Sequence, residues 1–144
     1  MPITTSSKAL VDQAMAEVRT YSAAEIKARL DGTGDPRLML VDIRDIRELA
    51  GGTATGSLHA PRGMLEFWVD PASPYHKPVF ADEGREFVLF CGLGWRSALT
   101  AKTLQDMGMT NVAHIDGGWA EWVKQSAPTE TLEQQKARRA PKPA

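Results

Sequence analysis

Cys91 is the only cysteine in the chain, and it opens the stretch Cys91-Gly92-Leu93-Gly94-Trp95-Arg96-Ser97. A lone thiol excludes an intrachain disulfide, a C-x-x-C redox pair and a thiolate-rich metal site, which leaves burial or nucleophilic chemistry. Its neighbours favour chemistry. Gly92 and Gly94 let the backbone turn successive N–H groups inward as an anion nest, and Arg96 adds a positive fork. Amides at a helix start and a nearby guanidinium are the features that stabilise a thiolate. Cys91 is therefore expected to be a nucleophile, with Gly92, Leu93, Gly94, Trp95 and Arg96 forming the anion-binding loop around it. The competing reading, a small buried hydrophobe at a strand end, explains neither the paired glycines nor the arginine.

Such a loop needs a strand to launch it and a helix to receive it. Phe87-Val88-Leu89-Phe90 reads as a buried strand before the loop, and Ala98, Ala101, Leu104 and Met107 recur at helical spacing after it, with Gly108 at the helix end. Val112-Ala113-His114-Ile115 is a second buried strand, and Leu38-Met39-Leu40-Val41-Asp42-Ile43 a third, each apolar enough to be covered on both faces. An α/β fold follows: a central, mostly parallel sheet with helices on both faces and right-handed crossovers. The loop after a parallel strand then opens at the end of the sheet where ligands bind. Ser22-Ala23-Ala24-Glu25 is a capping box for a helix to about Leu30, with Tyr21 placed to staple Ile26. Leu10, Ala14 and Val18 mark an earlier amphipathic helix.

With 144 residues and 42% hydrophobic content the chain is one ordinary domain. Its net charge of −1 provides no general attraction to nucleic acid or an anionic membrane. The N-terminus lacks the apolar core of a secretory signal, and no stretch approaches the ~20 apolar residues of a membrane span, so a soluble cytoplasmic protein is expected. Three segments emerge: an N-terminal helical extension over 1–20, the α/β domain over 21–125, and a polar, basic tail over 126–144. Lys136, Arg138, Arg139 and Lys142 against Glu133 make the tail's end read as frayed and solvated. The proline-containing stretch from Arg62 to Glu86 keeps Phe67, Trp68, Tyr75 and Phe80, and is expected to pack over the sheet edge beside the loop or against a second subunit.

Cys91 to Ser97, as C-x-x-G-x-R-S, resembles the active-site loop of rhodanese-like sulfurtransferases. Val41-Asp42-Ile43-Arg44 with Glu48 is similar to the family's D-x-R-x-x-x-E segment, Gly52 to Pro61 to its G-H-I-P-G-A segment, and Gly117-Gly118-Trp119 with Trp122 to its closing G-G-W-x-x-W block. Thr53, Ala54 and Thr55 depart from the usual His-Ile-Pro, and Ser57 from the usual alanine. The resemblance covers Ser22 to about Val123 and implies a rhodanese-like three-layer fold. It also implies a persulfide relay, in which Cys91 takes sulfane sulfur from a donor such as thiosulfate and passes it to cyanide or a thiol. The implied partners are a small-molecule donor and acceptor or a protein thiol. Neither metal nor organic cofactor is called for.

Asp42, Arg44 and Glu48 are expected to act behind the loop, with Arg44 paired to Glu48 and Asp42 orienting the loop. Arg62 and Glu66 read as a solvated ion pair, and His59, His76 and His114 as bystanders, since an ionised thiol needs no general base. Two rival functions remain. A cysteine phosphatase on the same fold would space five residues between Cys and Arg, where Gly92 to Trp95 supply four. A nonenzymatic binding module would not need the cysteine this chain keeps.

Overall fold

A computed structural model describes residues 1–139. Its centre is a five-stranded, wholly parallel sheet built from β1 (Arg19–Tyr21), β2 (Leu38–Asp42), β4 (Leu58–His59), β5 (Glu86–Phe90) and β6 (Val112–Ile115), in the order β1-β6-β5-β2-β4. Alternate residues of the central strands point to opposite faces. Met39, Val41, Phe87, Leu89 and Val112 face one core, and Leu40, Val88, Phe90, Ala113 and Ile115 the other. The first core is closed by α3 (Leu65–Val69), α4 (Trp95–Asp106) and a single 3-10 turn at Pro78–Ala81, the second by α2 (Ala23–Arg29) and α5 (Gly118–Lys124). This is the helix-sheet-helix sandwich expected of an α/β chain.

The helices begin where their first residues dictate. Ser22 Oγ accepts from the Glu25 amide at 3.1 Å and the Ser22 amide donates in turn to Glu25 Oε1 at 3.0 Å, completing the capping box of α2. The leading helix, α1 (Ser7–Glu17), is started by Ser6 and lays Val11 and Ala14 against Ala98, so it rides on α4 and not on the sheet. Among the described residues no helix is long and apolar enough to cross a membrane.

Two expectations are corrected. The Arg62 to Glu86 stretch does pack, but through Leu65, Val69 and Phe80 on a sheet face, with Phe80 tilted on Phe87 at 5.4 Å between ring centres. Trp68 is half-buried beneath Lys77, whereas Phe67 and Tyr75 are exposed and lie edge to face at 6.5 Å. From Ala127 to Arg139 the segment is not frayed. Thr129–Glu130 (β7) pairs antiparallel with Thr53–Ala54 (β3), and α6 (Leu132–Arg139) follows. Its anchors are polar: buried Gln135 donates to Ser57 Oγ at 2.9 Å, Arg138 to the Ser57 carbonyl at 3.1 Å and to Glu130, and Arg139 to the Gly56 carbonyl at 3.0 Å. A hydropathy pattern carries no signal for such anchors. Lys142 lies outside the described residues.

Gln135→Ala should cost about 1–2 kcal/mol, the penalty for stripping one partner from a buried polar group. The urea midpoint should fall with the transition slope unchanged. An unmoved midpoint would show that α6 is not held in solution as described.

Candidate active site

The strand order reverses direction between β2 and β5: β2 connects onward to β4 on one side and β5 to β6 on the other. That crevice, at the carboxyl ends of the strands, is the usual ligand site of an open α/β sheet. Cys91 stands in it as the next residue of β5 and is almost wholly buried, continuing the face of Phe87 and Leu89. Its Sγ accepts from the Gly94 amide at 3.1 Å and the Ser97 amide at 3.4 Å, with Ser97 Oγ 3.6 Å away. Two amides at the start of a 12-residue helix therefore point at sulfur, where the helix end also favours negative charge. Above it a depression of about 420 Å³ is lined by Cys91, Leu93, Trp95 and Arg96. Leu93 and Trp95 are exposed at its rim. A larger depression of about 720 Å³, lined by Val69, Phe80, Met107 and Asn111 among others, lies at the amino end of β6 and holds no thiol.

The loop takes this shape because α5 is pressed against its back. The Trp119 amide donates to the Cys91 carbonyl at 2.7 Å and the Ala120 amide to the Gly92 carbonyl at 3.1 Å, leaving the loop's other side free to face the sulfur. Gly118 permits the approach: a Cβ there would sit 2.3 Å from the Cys91 carbonyl oxygen. The Gly117-Gly118-Trp119 block is thus part of the site's architecture, a role visible in the sequence only as a recurring block without a position.

Arg96 does not reach the pocket as a free fork. Its Nη1 and Nη2 grip Glu48 Oε1 and Oε2 at 2.7 and 3.0 Å, and this pairing holds the Glu48 carboxyl below the usual glutamate range. A Cβ on Gly92 would stand 3.0 Å from the same guanidinium, so a larger residue there would press on Arg96. Glu48 therefore belongs to Arg96 and not to Arg44. Arg44 is buried on Asp42, with Nη2 to Oδ2 at 2.8 Å, and donates also to the Gly52 carbonyl at 2.8 Å while its guanidinium stacks 4.8 Å from the Trp119 ring centre. Asp42 takes Thr53 Oγ1 as a second donor at 2.7 Å. Together with Arg44 it braces β2 against β3 and Trp119, and its side-chain hydrogen bonds go to Arg44 and Thr53 and not to the loop. The expected local pairing failed because Arg44 found a carboxylate two residues back that was already desolvated and needed a counter-charge.

Among the remaining candidates, Arg62 is exposed, Glu66 half-buried, and no ion pair among the described residues joins them. His59 bonds the Arg44 carbonyl at 2.8 Å and His76 the Trp68 carbonyl at 3.0 Å. His114 lies on β6 (Val112–Ile115). It is fully buried, its Nδ1 lies 3.0 Å from Ser97 Oγ, and burial pushes its titration down to about 4.

Comparison with known proteins adds the following. The rhodanese-like domain family matches residues 22–125. The thiosulfate:glutathione sulfurtransferase of Saccharomyces cerevisiae is 26% identical over 114 residues, covering 76% of this chain and 81% of that protein. A solved protein of unknown function from Rhodopseudomonas palustris, described as a possible tyrosine phosphatase, is 46% identical, with TM-score 0.85 over 90% of this chain and 98% of its own. A rhodanese-related protein from Thermoplasma volcanium shares the fold at TM-score 0.62 and 21% identity, covering 78% of this chain and 97% of its own.

The buried imidazole fixes a pH dependence. The unfolded chain binds a proton at His114 near pH 6.5, whereas the folded chain resists until about 4, so folding stability declines as pH falls through that window. The contribution lost by pH 4 is about 3 kcal/mol. His114→Asn should flatten the decline, measured by urea unfolding at the two ends of the window. Equal declines in both chains would refute it.

Proposed function

Because the chain belongs to the rhodanese-like family, we propose that it is a sulfurtransferase that carries sulfane sulfur as a persulfide on Cys91. The observation that supports this most directly is the sulfur of Cys91 seated at the start of α4 with the Gly94 and Ser97 amides aimed at it. In the first half-reaction the Cys91 thiolate attacks the outer sulfur of a donor such as thiosulfate. The new S–S bond forms as the donor's S–S bond breaks, and sulfite leaves with that electron pair. In the second, cyanide or a thiolate attacks the outer sulfur of Cys91–S–S⁻, and the electron pair returns to Cys91. Negative charge rests on the loop throughout, and amides already oriented toward it need no reorganisation. Ping-pong kinetics follow, because the enzyme carries the sulfur between two encounters. The exposed Leu93 and Trp95 offer an apolar rim against which the body of a small-molecule or protein thiol acceptor rests.

The R. palustris likeness favours a second reading, a cysteine phosphatase. Loop size argues against it. Two amides reach Sγ, and four residues separate Cys91 from Arg96. A persulfide adds one anionic atom, whereas a phosphoryl group must seat three oxygens with room for in-line attack. Arg96, the guanidinium that would clamp those oxygens, already spends both its terminal nitrogens on Glu48.

Exposure to thiosulfate should add the mass of one sulfur atom to the wild-type chain and none to Cys91→Ser, with thiocyanate formation from cyanide abolished in the variant. Aryl phosphates should be left essentially unhydrolysed. Hydrolysis that depends on Cys91, with no donor leaving sulfur on it, would replace this reading with the phosphatase.

A further inference from the structure

Behind Cys91 a line of polar side chains leads away from the pocket. Ser97 Oγ is 3.6 Å from Sγ, 3.0 Å from His114 Nδ1 and 3.2 Å from the Gly94 carbonyl, a competing acceptor for its hydrogen, and His114 Nε2 is 3.1 Å from Thr20 Oγ1. Ser97 and His114 are fully buried, so no solvent replaces these partners, while Thr20 on the edge strand β1 is half-buried. The other groups facing the ring are Met15 Sδ from α1, 3.1 Å from Nε2, and the Asp116 carboxylate, whose charge opposes the effect of burial and is outweighed by it. The ring is neutral, so it has one hydrogen to place between two hydroxyls. A hydroxyl both donates and accepts, which allows either placement. Around Cys91 itself the charged groups are Arg96 and its partner Glu48.

We propose that Cys91, Ser97, His114 and Thr20 form a proton relay that reverses direction as Cys91 loses its proton, with His114 a positioning residue acting on the sulfur through Ser97. This rests on Cys91 being the reacting thiol of the function proposed above, and not on which group it transfers. With the thiol intact, S–H donates to Ser97 Oγ, the Ser97 hydroxyl to His114 Nδ1, and Nε2–H to Thr20 Oγ1. Ionisation passes the thiol hydrogen to Ser97, the Ser97 hydrogen to Nδ1, the Nε2 hydrogen to Thr20, and the Thr20 hydrogen to water. One proton leaves the protein and none is stranded. The Ser97 hydroxyl now donates to the sulfur anion, Nδ1–H to Ser97, and Thr20 to Nε2. The ring is neutral in both states and only its tautomer changes. A thiol closed off by a bound donor in the pocket thus keeps a route to solvent on the opposite side.

The test uses the full chain with no sulfur donor present. The ring nitrogens of His114, labelled with ¹⁵N and assigned with His114→Asn, are followed across the neutral and alkaline range beside the rate of Cys91 alkylation by iodoacetamide. The wild type should exchange Nε2–H for Nδ1–H at the same midpoint as alkylation. Thr20→Val, which leaves Ser97 in place, should abolish that exchange and slow alkylation below its midpoint about tenfold, the worth of one hydrogen bond to a charged group. Thr20→Ser should restore both. A ring that keeps one tautomer while Cys91 ionises, or exchange that survives Thr20→Val, overturns the relay. Because no persulfide is involved, a failed relay and a failed sulfur transfer give separate results.

Discussion

The site depends on two backbone hydrogen bonds, from the Trp119 and Ala120 amides to the Cys91 and Gly92 carbonyls. They use the unpaired donors at the start of α5 to satisfy the carbonyls of a buried loop, groups that would otherwise be costly to leave unbonded. Once those carbonyls point back, the intervening amides have only the other side to face. The consequence is polarity by construction: carbonyls toward α5, N–H groups toward the sulfur. Everything that lets α5 come so close, above all the missing side chain at Gly118, therefore belongs to the chemistry although it never touches a substrate.

A second constraint holds the opposite wall. The Asp42–Arg44 pair is buried at the end of β2, and an ion pair there gains little net stability over apolar residues while being expensive to break from one side. Its value is geometric. Arg44 reaches the Glu48 and Gly52 carbonyls and covers Trp119, so one guanidinium joins the turn at Ile46–Gly51 to the helix behind the Cys91 loop. That turn delivers Glu48, and Glu48 sets where Arg96 lies.

What could be read from the sequence was whatever is decided locally. The Ser22 capping box, the three buried strands and the Cys-to-Arg loop are each specified within a dozen residues, and the structure places them accordingly. Charge partnerships were not legible, because Glu48 had to choose between Arg44 four residues away and Arg96 on another strand's loop, and only the fold decides who arrives. His114 was missed for a related reason. Its strand alternation tells that it faces α4, but not that a serine hydroxyl waits there. The α6 anchors failed the opposite test, being polar side chains that bury themselves.

The pairing of distant segments bears on how the chain comes to be folded. Arg19 sits opposite Ala113, and Thr53 opposite Glu130, so both the β1 edge of the sheet and the small β3–β7 ribbon are closed by residues from far along the chain. The β5-α4-β6 unit, by contrast, is contiguous and can assemble with short loops. Loop-closure entropy makes late joining of the far pairs the slower route, and contacts absent from the transition state govern unfolding more than folding. β1 and β7 are thus clasps, each closing the structure around the reactive loop with a partner from far along the chain.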